Sequence, residues 1–226
     1  MFAGAGNDKI AADSGNDTVN AGDGNNTIGA GEGRNVIVSG EGNDTIAALG
    51  TNVVIAGAGN DKFTLGWGND WIQGGKGNDV IDAGGGANLF AFNKGDGSDT
   101  IVNSVWGADT ISLGGGVKYA DLKLTKSGDD LILKGTGSDK ITLKDWYKAD
   151  QNRGVGRLQV LTAGGDFDAV STNTLVNKTV TVFTFDKLVK AFDVARTANP
   201  SVASGWAVSS SLSAAQLHAT APIATG

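Results

Sequence analysis

The stretch from Ser39 to Asp82 reads SGEGNDTIA, ALGTNVVI, AGAGNDKFT, LGWGNDWIQ and GGKGNDVID, in blocks that begin at Ser39, Ala48, Ala56, Leu65 and Gly74. The nine-residue period continues outward in both directions. Upstream lie AGAGNDKIA from Ala3, ADSGNDTVN from Ala12, AGDGNNTIG from Ala21 and AGEGRNVIV from Ala30. Downstream come AGGGANLFA from Ala83 and, after a two-residue insertion, KGDGSDTIV from Lys94; a looser element, Gly107 to Ile111, ends the series. The first six places read as a loop whose Gly residues reach conformations closed to residues with a Cβ. Asn at the fifth place is expected to sit in the left-handed region. The eighth place is a large apolar residue (Ile10, Val19, Ile28, Ile37, Ile46, Val54, Phe63, Ile72, Ile81, Phe90, Ile101). An apolar residue between two outward neighbours predicts a short strand with one side chain inward. Strands of three residues bury nothing alone, but stacked as a solenoid they share a continuous core.

Composition narrows the class. The 226 residues include 36 Gly, 2 Pro and no Cys, which excludes collagen, a disulfide scaffold and a Cys-based zinc site. Without disulfides, a metal is the expected staple. The net charge of −6 is uneven: residues 1–103 carry 13 acids and 5 bases, and residues 104–226 carry 11 acids and 13 bases. An acidic, Gly-rich first half argues against nucleic acid and for cations. No apolar run approaches a membrane span, and no amino-terminal signal peptide is visible. Met1 followed at once by repeat sequence reads as an expression start, so the chain is expected to be a piece of a longer protein.

The eleven registered blocks resemble the GGxGxDxUx nonapeptide of the RTX (haemolysin-type calcium-binding repeat) proteins. The resemblance implies an all-β fold, a right-handed parallel β-roll with two nonapeptides per turn, over residues 1–103. It also implies several Ca²⁺ ions between loops 18 residues apart. Their ligands would be the carboxylates of Asp8, Asp17, Asp44, Asp61, Asp70, Asp79, Asp99 and Asp109. Loop carbonyls such as those of Gly40, Gly42, Gly57, Gly59, Gly75 and Gly77 would complete the sites. Hard oxygen ligands on a Gly-rich backbone suit Ca²⁺ on independent grounds.

If alternate loops share an edge, the sixth places form two ladders. One reads Asp8, Asn26, Asp44, Asp61, Asp79, Asp99, and the other Asp17, Asn35, Asn52, Asp70, Asn88, with Asp109 as a looser last member. A carboxylate brings charge to Ca²⁺ and an amide only a dipole. Two-carboxylate sites are therefore expected at Asp44/Asp61, Asp61/Asp79 and Asp79/Asp99, with the second edge read as an Asn ladder bonded to backbone. The outward places of the second edge include Val36, Val38, Val53, Ile55, Trp71 and Leu89. Such a strip is expected to be covered, either by the carboxy-terminal segment through Phe185, Leu188, Phe192 or Trp206, or by self-association.

A β-rich capping flank is expected over residues 104–150, with strands at Asp109–Leu113, Asp121–Thr125, Asp130–Lys134 and Lys140–Lys144 and a hairpin turn at Ser127–Asp130. GDDLILKGTGSDKITLKDWY, residues 128–147, resembles the flank that follows the last repeat block in RTX cytotoxins; Trp146 and Tyr147 read as its core. Over residues 151–226, Thr179–Thr184 reads as a strand, Phe185–Ala198 as a helix stopped by Asn199-Pro200, and Trp206–Leu217 as a second short helix. No charged residue follows Arg196. Such a tail resembles the uncleaved carboxy-terminal signal of type I secretion substrates, which makes the type I secretion machinery the expected partner. His218 is the only His, and with no Cys it has no partner set for a catalytic triad or a His-rich metal site.

The expectation is a secreted or bacterial cell-surface module that folds on extracellular calcium and is not itself an enzyme. It would belong to a large adhesin or cytotoxin. The alternative is the secretion and folding module of a secreted lipase, protease or epimerase.

Overall fold

The computed structural model describes residues 1–102, 108–114, 116–135, 137–162 and 179–211. In chain order the elements are β1 (Lys9–Ala11), β2 (Thr18–Asn20), β3 (Thr27–Gly29), β4 (Arg34–Glu41), β5 (Thr45–Ala48), β6 (Thr51–Ala58), β7 (Lys62–Leu65), β8 (Trp71–Lys76), β9 (Val80–Asp82), β10 (Leu89–Phe92), β11 (Ser98–Val102) and β12 (Asp109–Leu113). They continue with β13 (Lys123–Ser127), β14 (Asp130–Lys134), β15 (Lys140–Leu143), β16 (Val155–Thr162), β17 (Thr179–Thr184), α1 (Phe185–Ala198) and β18 (Trp206–Ala207). Odd strands β1 to β11 stack in parallel as one sheet and even strands β2 to β12 as the other, so each of about six turns consists of two nonapeptides. The fold is a parallel β-roll with a mostly β cap.

Register explains the apolar eighth place. Ile28, Ile46, Phe63 and Ile81 lie side by side on the first sheet. Val19, Ile37, Val54, Ile72 and Phe90 do so on the second. All are buried, and so are Ala21, Ala30, Ala48, Ala56 and Ala83 at the first place, where a small residue is tucked inward as strand passes into loop. The short sixth repeat loses its residue from the loop before Gly50, and β4 and β6 stay in register from Arg34/Thr51 to Glu41/Ala58. The insertion after residue 91 lengthens β10, where Phe92 is buried and pairs with Leu113.

Gly is required at the second and fourth places by stacking as well as by φ. At Gly77 (φ 144°) a Cβ would lie 1.7 Å from the Gly59 carbonyl oxygen, and at Gly59 (φ 144°) it would lie 1.9 Å from that of Gly42. The loop carbonyls of one turn thus press on the Cα atoms of the next. The fifth-place Asn residues are not left-handed, contrary to expectation: Asp145 is the one non-Gly residue with positive φ among those described. Their side chains instead accept backbone N–H groups from the next loop of the same edge, as Asn25 Oδ1 does from Asn43 and Asn43 Oδ1 from Asn60.

The parallel stacking continues beyond residue 103. β15 adds to β11, with Leu143 beside Ile101, and β14 and β13 follow in antiparallel order. On the other sheet β16 adds to β12 with a bulge at Gly156, and β17 closes it antiparallel. Helix α1 packs against β16 with Phe185, Leu188, Val189 and Phe192 buried. Trp146, 1% exposed, meets Phe185 edge-on at 5.7 Å between ring centres. The Tyr147 hydroxyl donates to Asp193 at 3.0 Å, and the Lys126 ammonium lies 4.0 Å from the centre of its ring.

Several expectations change. The strand expected at Asp121–Thr125 runs from Lys123 to Ser127, after a 3₁₀ turn at Tyr119–Asp121. Strand β16 was not anticipated: its alternation runs only over Arg157–Val160 and is interrupted by the bulge at Gly156. Trp206–Ala207 is a strand paired with β13 and leads into a 3₁₀ turn at Val208–Ser211, not an α-helix; the remainder of that expected helix and His218 lie outside the described residues. Among the described residues, Phe185, Leu188, Phe192 and Trp206 of the carboxy-terminal segment pack within the cap and not over the apolar strip. This leaves Val36 (41% exposed) and Val53 (38%) open and Trp71 and Leu89 half-buried in this chain.

The stacking of Gly on carbonyl oxygen predicts an unequal cost of Gly→Ala substitution. Gly77→Ala should destabilise the roll by at least about 2 kcal/mol in denaturant unfolding with calcium in excess. Gly156→Ala, whose Cβ would meet nothing within 4 Å, should stay within about 1 kcal/mol.

Candidate metal centre

The sixth-place side chains of each edge form a continuous hydrogen-bonded ladder. On the first edge, Oδ1 of Asn26, Asp44, Asp61, Asp79 and Asp99 accepts the backbone N–H of the ladder residue one turn earlier, at 2.7–3.0 Å. On the second edge Asn35, Asp70, Asn88 and Asp109 do the same for Asp17, Asn52, Asp70 and Asn88. Asp109 is therefore a full member of its ladder. Asp and Asn serve equally well in this role, because each offers one oxygen to a buried donor.

The two residue types differ in the second terminal atom. Nδ2 of Asn26 donates to the carbonyl oxygens of Gly22 and Gly24, both at 3.0 Å, and of Ser39 at 3.3 Å. The ladder position thus faces carbonyls from its own loop and from the next loop of the edge. By the repeat, Gly40 and Gly42 are to Asp44 what Gly22 and Gly24 are to Asn26; Gly57 and Gly59 stand in the same relation to Asp61, and Gly75 and Gly77 to Asp79. At these Asp positions the second atom is a carboxylate oxygen. The Oδ2 atoms of Asp8, Asp17, Asp44, Asp61, Asp70 and Asp79 are buried and accept no hydrogen bond. A carboxylate oxygen cannot donate to a carbonyl, so a buried orphan in such a frame requires a proton or a cation. All the groups concerned are hard oxygens, as Ca²⁺ prefers.

Burial raises the pKa values of Asp44, Asp61, Asp70, Asp79 and Asp99 from the ordinary 3.8. Asp61 is pushed up to about 7, with the carboxylates of Asp79 and Asp44 adding to the effect of burial. Asp99 rises to about 8 by burial and then by repulsion from Asp79, Asp96 and Asp139. Burial also lifts Asp79 and Asp70 to about 6 and raises Asp44. Among the described residues no three His, Cys, Asp or Glu side chains gather as a metal-holding group. The residues therefore fit a calcium ion through one or two carboxylates completed by loop carbonyls, and not through a carboxylate cage.

The expected pairs Asp44/Asp61, Asp61/Asp79 and Asp79/Asp99 are each joined by one N–H···Oδ1 bond. Orphan Oδ2 atoms number four on the first edge (Asp8, Asp44, Asp61, Asp79) and two on the second (Asp17, Asp70) among the described residues. Asp96 and Asp139 were not singled out by sequence. Asp96 is buried, and its Oδ2 accepts the Asn93 N–H at 2.6 Å; Oδ2 of Asp139 accepts the Gly95 N–H at 2.7 Å. The signal for Asp139 was present: KGTGSDKIT, residues 134–142, repeats KGDGSDTIV, residues 94–102, with three changes. Because Ile101 pairs with Leu143 and not with Ile141, this late repeat joins the roll two residues out of register.

Residues 1–101 match the family model of the RTX calcium-binding nonapeptide repeat in overlapping segments, 1–28, 22–52, 29–63, 46–81 and 64–101. No curated protein matches the chain. Among solved structures, that of the extracellular lipase LipA from Serratia marcescens is similar at 18% identity and a TM-score of 0.32, over 61% of this chain and 36% of that one. The chain thus spans about a third of the length of that lipase.

The raised carboxyl pKa values make the metal-free roll an acid-favoured structure. Folded, Asp61, Asp70, Asp79 and Asp99 hold protons up to about pH 6–8, which the unfolded chain releases near 3.8. Their contribution is present below 3.8 and is lost as pH rises through the folded values, since the folded state binds more protons in that window. With calcium removed, the far-ultraviolet circular dichroism of the roll should weaken steadily from pH 5 to pH 8; with excess calcium it should hold. A metal-free spectrum that strengthens over this range would contradict the assignment.

Proposed function

We propose that this chain, a member of the RTX calcium-binding nonapeptide repeat family through residues 1–101, is a calcium-gated folding module of a large secreted adhesin or cytotoxin. The observation that carries this reading is the set of buried carboxylate oxygens without hydrogen-bond donors, in frames of loop carbonyls. Ions bind the folded roll and not the unfolded chain, so each site stabilises by RT ln(1 + [L]/Kd). For a Kd of about 0.1 mM and about 1 mM external calcium, the gain is roughly 1.4 kcal/mol per site. At the far lower calcium of a cell interior it is near zero, while several sites together are comparable with a small domain's usual margin. The chain would stay unfolded for export and fold outside.

Export through the type I machinery is supported by the uncharged segment after Arg196. On this reading the chain carries no catalytic step of its own, in keeping with a single His and no Cys. No helix among the described residues is long and apolar enough to cross a membrane.

Titration at pH 7.5 tests the gating. After exhaustive dialysis against chelator the full chain should lose most of its β signal and regain it cooperatively at millimolar Ca²⁺. Equal Mg²⁺ should have little effect, because it demands tighter octahedral geometry. A β-rich spectrum unchanged by calcium removal would overturn the proposal.

A further inference from the structure

Three sixth-place residues are amides with both terminal atoms hydrogen-bonded: Asn26, Asn35 and Asn52, each 1% exposed. Their orientation is dictated by the ladder. Oδ1 of Asn26 faces the Asp8 N–H at 2.9 Å and Oδ1 of Asn35 the Asp17 N–H at 3.1 Å, which turns both nitrogens toward the loop frames. Nδ2 of Asn26 then meets the carbonyls of Gly22, Gly24 and Ser39. Nδ2 of Asn35 donates to Gly31 O at 3.4 Å and to Asn52 Oδ1 at 3.0 Å, and Nδ2 of Asn52 to Gly50 O at 3.0 Å and Asp70 Oδ1 at 2.9 Å. An amide N–H carries partial positive charge, so pointed into a carbonyl frame it does electrostatically what a bound cation does, without a cation.

We propose that the amides of Asn26, Asn35 and Asn52 are built-in substitutes for calcium, so that the roll is a composite of metal-held and amide-held loops. The inference rests on the calcium reading above and deepens it by assigning which loops take the ion. The second turn, with Asn26 on one edge and Asn35 on the other, is stapled by amides on both sides. The Asn52 loop continues this staple along the second edge. Calcium is then confined to the carboxylate loops and concentrated at Asp44, Asp61 and Asp79, the consecutive orphan oxygens on the edge that adjoins the cap. Asn88 is not a member of the group: its Nδ2 is buried without an acceptor.

The exchange of one atom tests this. Asn26→Asp keeps the shape and the Oδ1 bond but places a carboxylate oxygen against the carbonyls of Gly22, Gly24 and Ser39, between the ladder carboxylates of Asp8 and Asp44. Calcium stoichiometry of the full chain, by isothermal titration and by metal analysis after equilibrium dialysis, should rise by at least one ion in this variant. Asn35→Asp should do the same on the other edge. Asp61→Asn should lose at least one ion yet still fold at saturating calcium, because its new amide can face Gly57 and Gly59 as that of Asn26 faces Gly22 and Gly24. Unchanged stoichiometry in both Asn→Asp variants, or their failure to fold at saturating calcium, would overturn the inference while leaving the calcium reading intact. A wild-type chain that binds no calcium would overturn the calcium reading itself.

Discussion

The roll depends on one constraint: the loops turn with their carbonyl oxygens gathered inward, and that oxygen must be met by positive charge. Gly77 and Gly59 show how little freedom remains, since each Cα rests against a carbonyl of the preceding turn. The loops therefore cannot relax their oxygens outward to water. What stands at the sixth place decides how each frame is satisfied. An amide supplies two N–H groups; a carboxylate supplies more oxygen and transfers the demand to a proton or an ion. The hydrophobic column is the same in both cases, because the eighth place is Ile, Val or Phe throughout. Stability thus has two separable sources: a continuous apolar core common to all turns, and a polar edge whose requirement varies from turn to turn.

This separation explains how much was legible in sequence. The eighth-place column follows from period and strand geometry alone, and so does the division of the sixth places into two ladders. A ladder bonded to backbone was expected of the Asn edge; that the Asp positions also cap a backbone N–H with Oδ1 was not legible, because their charge reads as a metal ligand alone. The fifth-place Asn was read through its backbone preference, whereas its side chain is what the structure uses. Both errors share a cause. In a solenoid the partner of a residue is about 18 positions away, so a reading confined to one nonapeptide assigns local conformation to what is an inter-turn bond.

The cap was less legible for a different reason. Its strands are edges recruited by the roll, and recruitment depends on where unpaired backbone is left open more than on propensity. β16 occupies the exposed side of β12, and Trp206–Ala207 extends β13 as a strand although its neighbours read as helical. The same demand accounts for α1. Its apolar face closes the end of the core over Trp146 and β16, so this helix does not lie over Val36 and Val53. Closing an open core end removes more apolar surface from water than covering a row of valines whose strand backbone is already paired.

Charge and capping meet at the same place. Asp96, Asp99 and Asp79 crowd the last turn of the first edge, and the docking of β15 brings Asp139 beside them; after burial, Asp79, Asp96 and Asp139 each raise the pKa of Asp99. The strand that seals the core therefore adds negative charge where the array is already most acidic. Apolar closure, through Ile141, Leu143 and Trp146, favours docking, and electrostatic repulsion opposes it. In the amide-held second turn no such opposition exists. Neutralising the acidic junction, by ion or by proton, would relieve the repulsion that opposes the cap, so the charge held at Asp79, Asp96 and Asp99 bears directly on closure of the core at this end of the roll.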